Sequence, residues 1–134
     1  MKIFDTPTIP VSWGELIDKI TILEIKLLNI KSQKALVNID KELLFLKSIV
    51  NKNLEIENII KAFKKDLRLV NMELWRVEDD IRAKESLKEF DDTFIELARK
   101  VYKLNDERSV IKRHINTMLN SELVEEKSYQ GFSS

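Results

Sequence analysis

Between Gly14 and Gly131 the chain has no glycine, and both of its prolines, Pro7 and Pro10, precede residue 11. Strands joined by tight hairpins need those residues at their turns, so a chain without them is left with helices linked by short polar breaks. The body therefore reads as all-α, and residues 1–11, which hold the prolines, read as an extended N-terminal arm.

Apolar periodicity divides the body into four segments. The first opens at SWGE, where Ser12 can cap a helix with Glu15 as its capping-box partner. Leu16, Ile20, Leu23, Leu27 and Ile30 then form a stripe that runs to about residue 31. A second stripe, Leu36, Ile39, Leu43, Leu46 and Val50, is out of register with the first, which places a turn in KSQK; Asn51 and Asn53 mark its end. In the third segment Ile56, Ile60, Phe63, Leu67, Val70, Leu74, Val77 and Ile81 alternate spacings of four and three, a seam suited to antiparallel helix packing. If it runs from about 54 to 88, its length is about 50 Å, too long for a compact domain of this size. After a break at KEFDDT, Asp91, Asp92 or Thr93 can cap a fourth helix, Thr93 and Glu96 offer a second capping box, and the helix should reach about Asn120. Short links between long helices make neighbours antiparallel. The expected fold is one domain, 1–134: an elongated antiparallel bundle of about four helices, with residues 121–134 as a tail that begins with a last helical turn.

Composition supports this reading. The chain has 134 residues, 43% of them hydrophobic, enough for one core. Its 23 basic and 23 acidic residues leave no net charge, so no bulk field draws it to nucleic acid or anionic lipid. It has no cysteine, hence neither disulfides nor thiolate chemistry. No apolar run is long enough for a membrane span or a signal peptide, so a cytoplasmic protein is expected. Ile22 and Ile25 lie opposite the first stripe, and Leu69, Met72 and Trp75 lie off the third seam. Either the bundle wraps these helices on two sides or a second copy does; a homodimer is the expectation.

The fourth segment poses a chemical problem. Phe94, Leu97, Ala98, Val101, Leu104, Ile111, Ile115 and Leu119 define its buried face, yet Asn105, Arg108 and Lys112 fall in the middle of it. A buried cation needs a carboxylate, a bound anion or a route to water. Glu24 is the freest internal carboxylate, because an antiparallel pairing sets Glu85 opposite the start of the fourth helix; Glu78 is a further candidate. Three readings stand: an interior ion-pair network, a cationic pocket, or a stripe that faces outward. The pocket would bind a small phosphate or carboxylate with Arg108, Lys112, Asn105 and Arg82, and with Glu24 or Glu78 as acid or base.

Other constellations are less specific. Glu15 and Asp18 form an ExxD and, with Glu78 and Asp79, could hold magnesium as in helical nucleotide hydrolases; in a chain this acidic, a solvated salt-bridged face is the better reading. No metal ligands are therefore assigned, and no cofactor is expected. His114 has no second histidine and reads as exposed. Trp13 reads as core and Trp75 as interface, while Lys127 and Tyr129 either dock the tail on the bundle or belong to a disordered end.

Four stretches, VSWGELIDKITILEIKL, LWRVEDDIRAKE, FIELARKVYKLNDERSVIKRHIN and SELVEEKSY, resemble a family of small bacterial and phage proteins classed as a domain of unknown function. Residues 33–70 contribute little to the likeness. The resemblance implies a helical protein encoded near glycosyltransferase or lipopolysaccharide-assembly genes, and supplies no catalytic residues. The expected function is that of an accessory or interaction protein with a protein partner. The alternatives are the interhelical anion site and, third, the magnesium-dependent hydrolase.

Overall fold

The structure, a computed structural model, describes residues 1–128. It is all-helical, with α1 at Trp13–Asn29, α2 at Gln33–Asn51, α3 at Leu54–Ser86 and α4 at Asp92–Met118. The caps are those that local chemistry favours. Ser12 accepts from the Glu15 amide at 3.1 Å, Ser32 from Ala35, Asn53 from Glu55 and Asp91 from Phe94. Asp91 thus fills the place for which Thr93 also competed, and the Glu15 carboxylate is engaged elsewhere, on Lys112.

Two helices end on a left-handed residue without glycine. At Lys88 (φ 55°) and Asn120 (φ 51°) the chain makes the paired bonds of a Schellman motif, Glu89 N to Lys84 O with Lys88 N to Glu85 O, and Ser121 N to Asn116 O with Asn120 N to Thr117 O. Asparagine tolerates this conformation well. At the other site Lys84 Nζ, 2.9 Å from Glu89 and 3.0 Å from Asp91, ties the turn together. The second motif reverses the chain after α4, so the expected extra helical turn is absent: residues 121–128 hold no helix and fold back along α4.

α3 and α4 form the long antiparallel pair, and α1 packs on both of them and on α2, whereas α2 touches only α1 and α3. α1 is consequently the centre of the molecule. Its main stripe joins Ile39, Leu43, Val50, Ile56, Ile60, Leu67 and Ile115 in the principal core. Its opposite side is also covered: Ile25 is buried and Ile22 half-buried, so the bundle itself wraps this helix twice. A smaller cluster, Leu74, Val77 and Leu104 with Val70, Leu97 and Val101, belongs to α3 and α4 alone. The arm, residues 1–11, is exposed and carries no helix or strand.

α1 and α4 approach each other closely at Gly14. A Cβ there would stand 2.4 Å from the backbone oxygen of Lys112 and 3.0 Å from Asn116 Oδ1. The space saved lets the Gly14 amide donate to Asn116 Oδ1 at 2.7 Å and the Trp13 amide to Ser121 Oγ at 3.3 Å, so α4 and its following turn satisfy free amides of α1. In an ordinary helical position Gly→Ala stabilises by up to about 1 kcal/mol. Here Gly14→Ala must push helix backbones apart, and urea unfolding should show a loss of about 2 kcal/mol.

Candidate functional site

The polar cluster begins on α1 with Glu15, Asp18 and Thr21, placed on one side of the helix by spacings of three. Asp18 is its centre and is 1% exposed. Burying a carboxylate is tolerated only when charge and hydrogen bonds replace its water, and here they come from two other helices. From α4, Arg108 Nε donates to Asp18 Oδ1 at 2.9 Å and to Oδ2 at 3.1 Å, and Arg108 Nη2 donates to Oδ2 as well. From α3, Asn71 Nδ2 donates to Asp18 Oδ1 at 2.8 Å and to Thr21 Oγ1 at 2.9 Å. The Thr21 hydroxyl in turn donates to the Asp18 carbonyl at 2.7 Å. The guanidinium fork explains why arginine stands at 108, since lysine presents no planar pair of donors.

One turn further along α4, Lys112 is 8% exposed. Its Nζ donates to Glu15 at 2.8 Å and to Glu125 of the tail at 3.0 Å, and stands 3.8 Å from Asp18. Lys127 lies 3.2 Å from the other oxygen of Glu125, and Arg113 pairs with Glu126 at 3.0 Å. Asp18, Glu15 and Glu125 thus face Arg108, Lys112 and Lys127, and the charges match. The hydrogen bond to Asp18 raises the pKa of Arg108. Burial pulls Lys112 down, but its bonds to Glu15 and Glu125 and the charge of Asp18 outweigh this, so its pKa is raised. Glu125, bonded to Lys112 and Lys127, is lowered from 4.5 to about 2. All three groups are charged near neutrality, so the cluster braces α1, α4 and the tail by matched charges.

The residues singled out from sequence do not form one site. Arg108 is paired with Asp18 and not with Glu24, which lies on the α3 side of α1 and meets Arg68 at 3.3 Å and Lys64 at 3.6 Å. Glu78 and Arg82 form a surface pair at 3.8 Å. Glu78, Asn105 and Arg108 do come together, lining a 220 Å³ pocket with Trp75 and Lys26, and Asn105 accepts a long 3.4 Å bond from Arg108. Lys112 belongs to the Glu15–Glu125 end of the cluster. The ExxD pair Glu15 and Asp18 holds ammonium and guanidinium groups, and among the described residues no group of three or more His, Asp or Glu side chains could hold a metal ion. His114 is exposed and packs on Phe63 at 5.6 Å. Trp13 packs against the main core. Tyr129 lies outside the described residues.

Sequence reasoning missed Asp18, Asn71 and Thr21 as the partners. A signal was present: Asp18, Ile22 and Ile25 lie in line at spacings of four and three, so whatever covers the two isoleucines also covers the aspartate.

Fold and cluster together define a class: a four-helix antiparallel protein whose first helix is a central rod, tied to the fourth by the Asp18–Arg108 ion pair and to the third by the hydrogen bonds of Asn71. The chain belongs to a family of unknown function, DUF6165, whose model matches residues 8–134. No curated protein and no solved structure matches it.

Arg108→Met leaves Asp18 buried without its cation and should cost about 3 kcal/mol in urea unfolding. Adding Asp18→Asn should recover part of that loss, which a double-mutant cycle measures. The tail makes a pH prediction. A carboxylate with a lowered pKa contributes stability above its unfolded value, lost as pH falls through the folded one. Glu125 should therefore lose its contribution between pH 4.5 and about 2. Because it is 41% exposed, that contribution is about 1 kcal/mol, and Glu125→Gln should remove that share of the acid dependence of the urea midpoint.

Proposed function

We propose that the protein is a non-catalytic helical interaction protein that assembles with a second copy of itself. The observation that carries this is a groove on the outer side of the α3–α4 pair, about 580 Å³, with Leu69, Val70, Val110 and Ile111 in it and Asp66, Asp106 and Glu107 along it. Leu69 and Val110 are 56% and 54% exposed. Adjacent Met72 is exposed too.

The proposed occupant is the outer face of α2 from the other copy. Lys34, Val37, Lys41, Leu44 and Phe45 share one side of that helix, Lys52 follows as its C-cap, there is no carboxylate among them, and all are exposed. Apolar residues between lysines match an apolar groove edged by carboxylates. An isologous pair would use the surface twice, once from each copy. The setting that the resemblance implies, assembly of cell-surface glycans, is where such a scaffold would meet a protein partner. An anion site at Arg108, Lys112 and Asn105 has less support, because both cations already hold carboxylates. A hydrolase has less support too, because Glu15, Asp18 and Glu78 already hold cations.

Light scattering after size exclusion should give twice the 15.8 kDa chain mass. Leu69→Asp with Val110→Asp should return the mass to that of one chain, with helical circular dichroism unchanged. A wild-type monomer at all accessible concentrations would defeat the reading.

A further inference from the structure

On the other side of the molecule, α1, α2 and α3 enclose a separate pocket of about 460 Å³. Its deep wall includes Ile17, Ile20, Val50 and Ile60, and its rim carries Lys47, Lys61, Lys64, Lys65 and Arg68 against the carboxylates of Glu24 and Glu57. Five cations thus meet two carboxylates, in a chain whose total charge is zero. Lys61, Lys64, Lys65 and Arg68 follow one another at spacings of three, one and three along α3. That makes each of the pairs 61–64, 61–65, 64–68 and 65–68 a like-charge neighbour on the helix surface, which opposes helix formation. Glu24 offsets this repulsion only at Lys64 and Arg68. Lys47, Lys61 and Lys65 make no ion pair among the described residues.

Glu24 neutralises its two cations only loosely. It is 3.3 Å from Arg68 and 3.6 Å from Lys64, longer than the 2.8 to 3.0 Å bonds of Lys112. Its Oε1 is shielded from solvent and has no hydrogen-bond donor. One carboxylate therefore holds two cations, Arg68 and Lys64, beside the pocket and leaves the trio with a net positive charge. Ligand sites of this volume commonly pair an apolar wall with a few converging polar groups.

We infer that this pocket is a binding site for a small organic phosphate or diphosphate, the phosphate oxygens taken by the lysines and the Arg68 fork and the organic part by the isoleucine wall. The arginine supplies planar two-point recognition and the lysines mobile point charges. The site shares no residue with the Asp18 cluster or with the α2 face and α3–α4 groove of the proposed assembly. It can therefore stand or fall separately from both.

The test is titration calorimetry of the full chain with pyrophosphate and with ADP, at constant ionic strength, with sulfate as the control for a generic anion. Pyrophosphate and ADP should bind and raise the melting temperature, ADP more tightly because the flat face of its aromatic base can pack on the isoleucine wall, and sulfate should bind far more weakly. Lys61→Gln with Lys65→Gln should weaken both by about tenfold or more while leaving the unliganded protein at least as stable. Lys100→Gln with Lys103→Gln removes the same charge from exposed positions on α4 and should leave binding unchanged. Equal losses in the two double variants would overturn the inference, since net charge alone would then be read. So would silence from pyrophosphate and ADP, including the case in which only vesicles containing phosphatidic acid bind.

Discussion

A carboxylate out of water stays charged only if donors converge on it, and Asp18 gathers them from the two longest helices of the molecule. Arg108 reaches it from α4 and Asn71 from α3, so one side chain fixes where α1 lies against both. Apolar contacts tolerate sliding, because a leucine ridge fits more than one groove. A guanidinium fork and an amide that bonds Asp18 and Thr21 together do not, since a shift by one turn would strand all of them. The close approach at Gly14 depends on the same register: only when Asp18 meets Arg108 does Gly14 lie over the Lys112 carbonyl with Asn116 beside it.

The surfaces that remain are divided by charge. α1 contributes Asp18 and Glu15 toward α4 and Glu24 toward α3, and the two sets end very differently. Near α4, cations and carboxylates match and bonds are short. Near α3, a single carboxylate is shared loosely by two of five cations. The outer groove of α3 and α4 leans the other way, toward carboxylates. A chain with no net charge therefore has strongly charged regions, and net charge alone describes it poorly.

Much of the fold was legible because its signals are local. The four stripes, the polar breaks and Ser12 and Asp91 as caps depend on residues within one turn of each other, and the structure places them where the spacing does. Two features that turn on distant contacts were not legible. The tail was read as a further helical turn, but Asn120 takes a left-handed conformation and sends Glu125 back to Lys112. Arg108 was recognisable as a cation needing a partner, yet Glu24 looked nearer the core than Asp18. The apolar stripe of α1 marks only one of its two buried sides. Periodicity assumes a helix with a wet face, and a helix at the centre of a bundle has very little of one.

The position of Asp18 near the start of the chain sets an order of events during synthesis. Its counter-ion lies 90 residues later. While the chain emerges from a ribosome, α1 through α3 can be complete, with the apolar stripe of α1 ready to pack, before Arg108 exists outside the exit tunnel. Until then Asp18 has Asn71 but no cation, and burying it would cost several kcal/mol. The nascent chain must therefore keep the Asp18 side of α1 in water, and Ile22 and Ile25 beside it remain open too. The last helix acts as a check on the first: a truncated chain that lacks α4 cannot close around α1, and it should be recognisable to chaperones and proteases by that uncovered side.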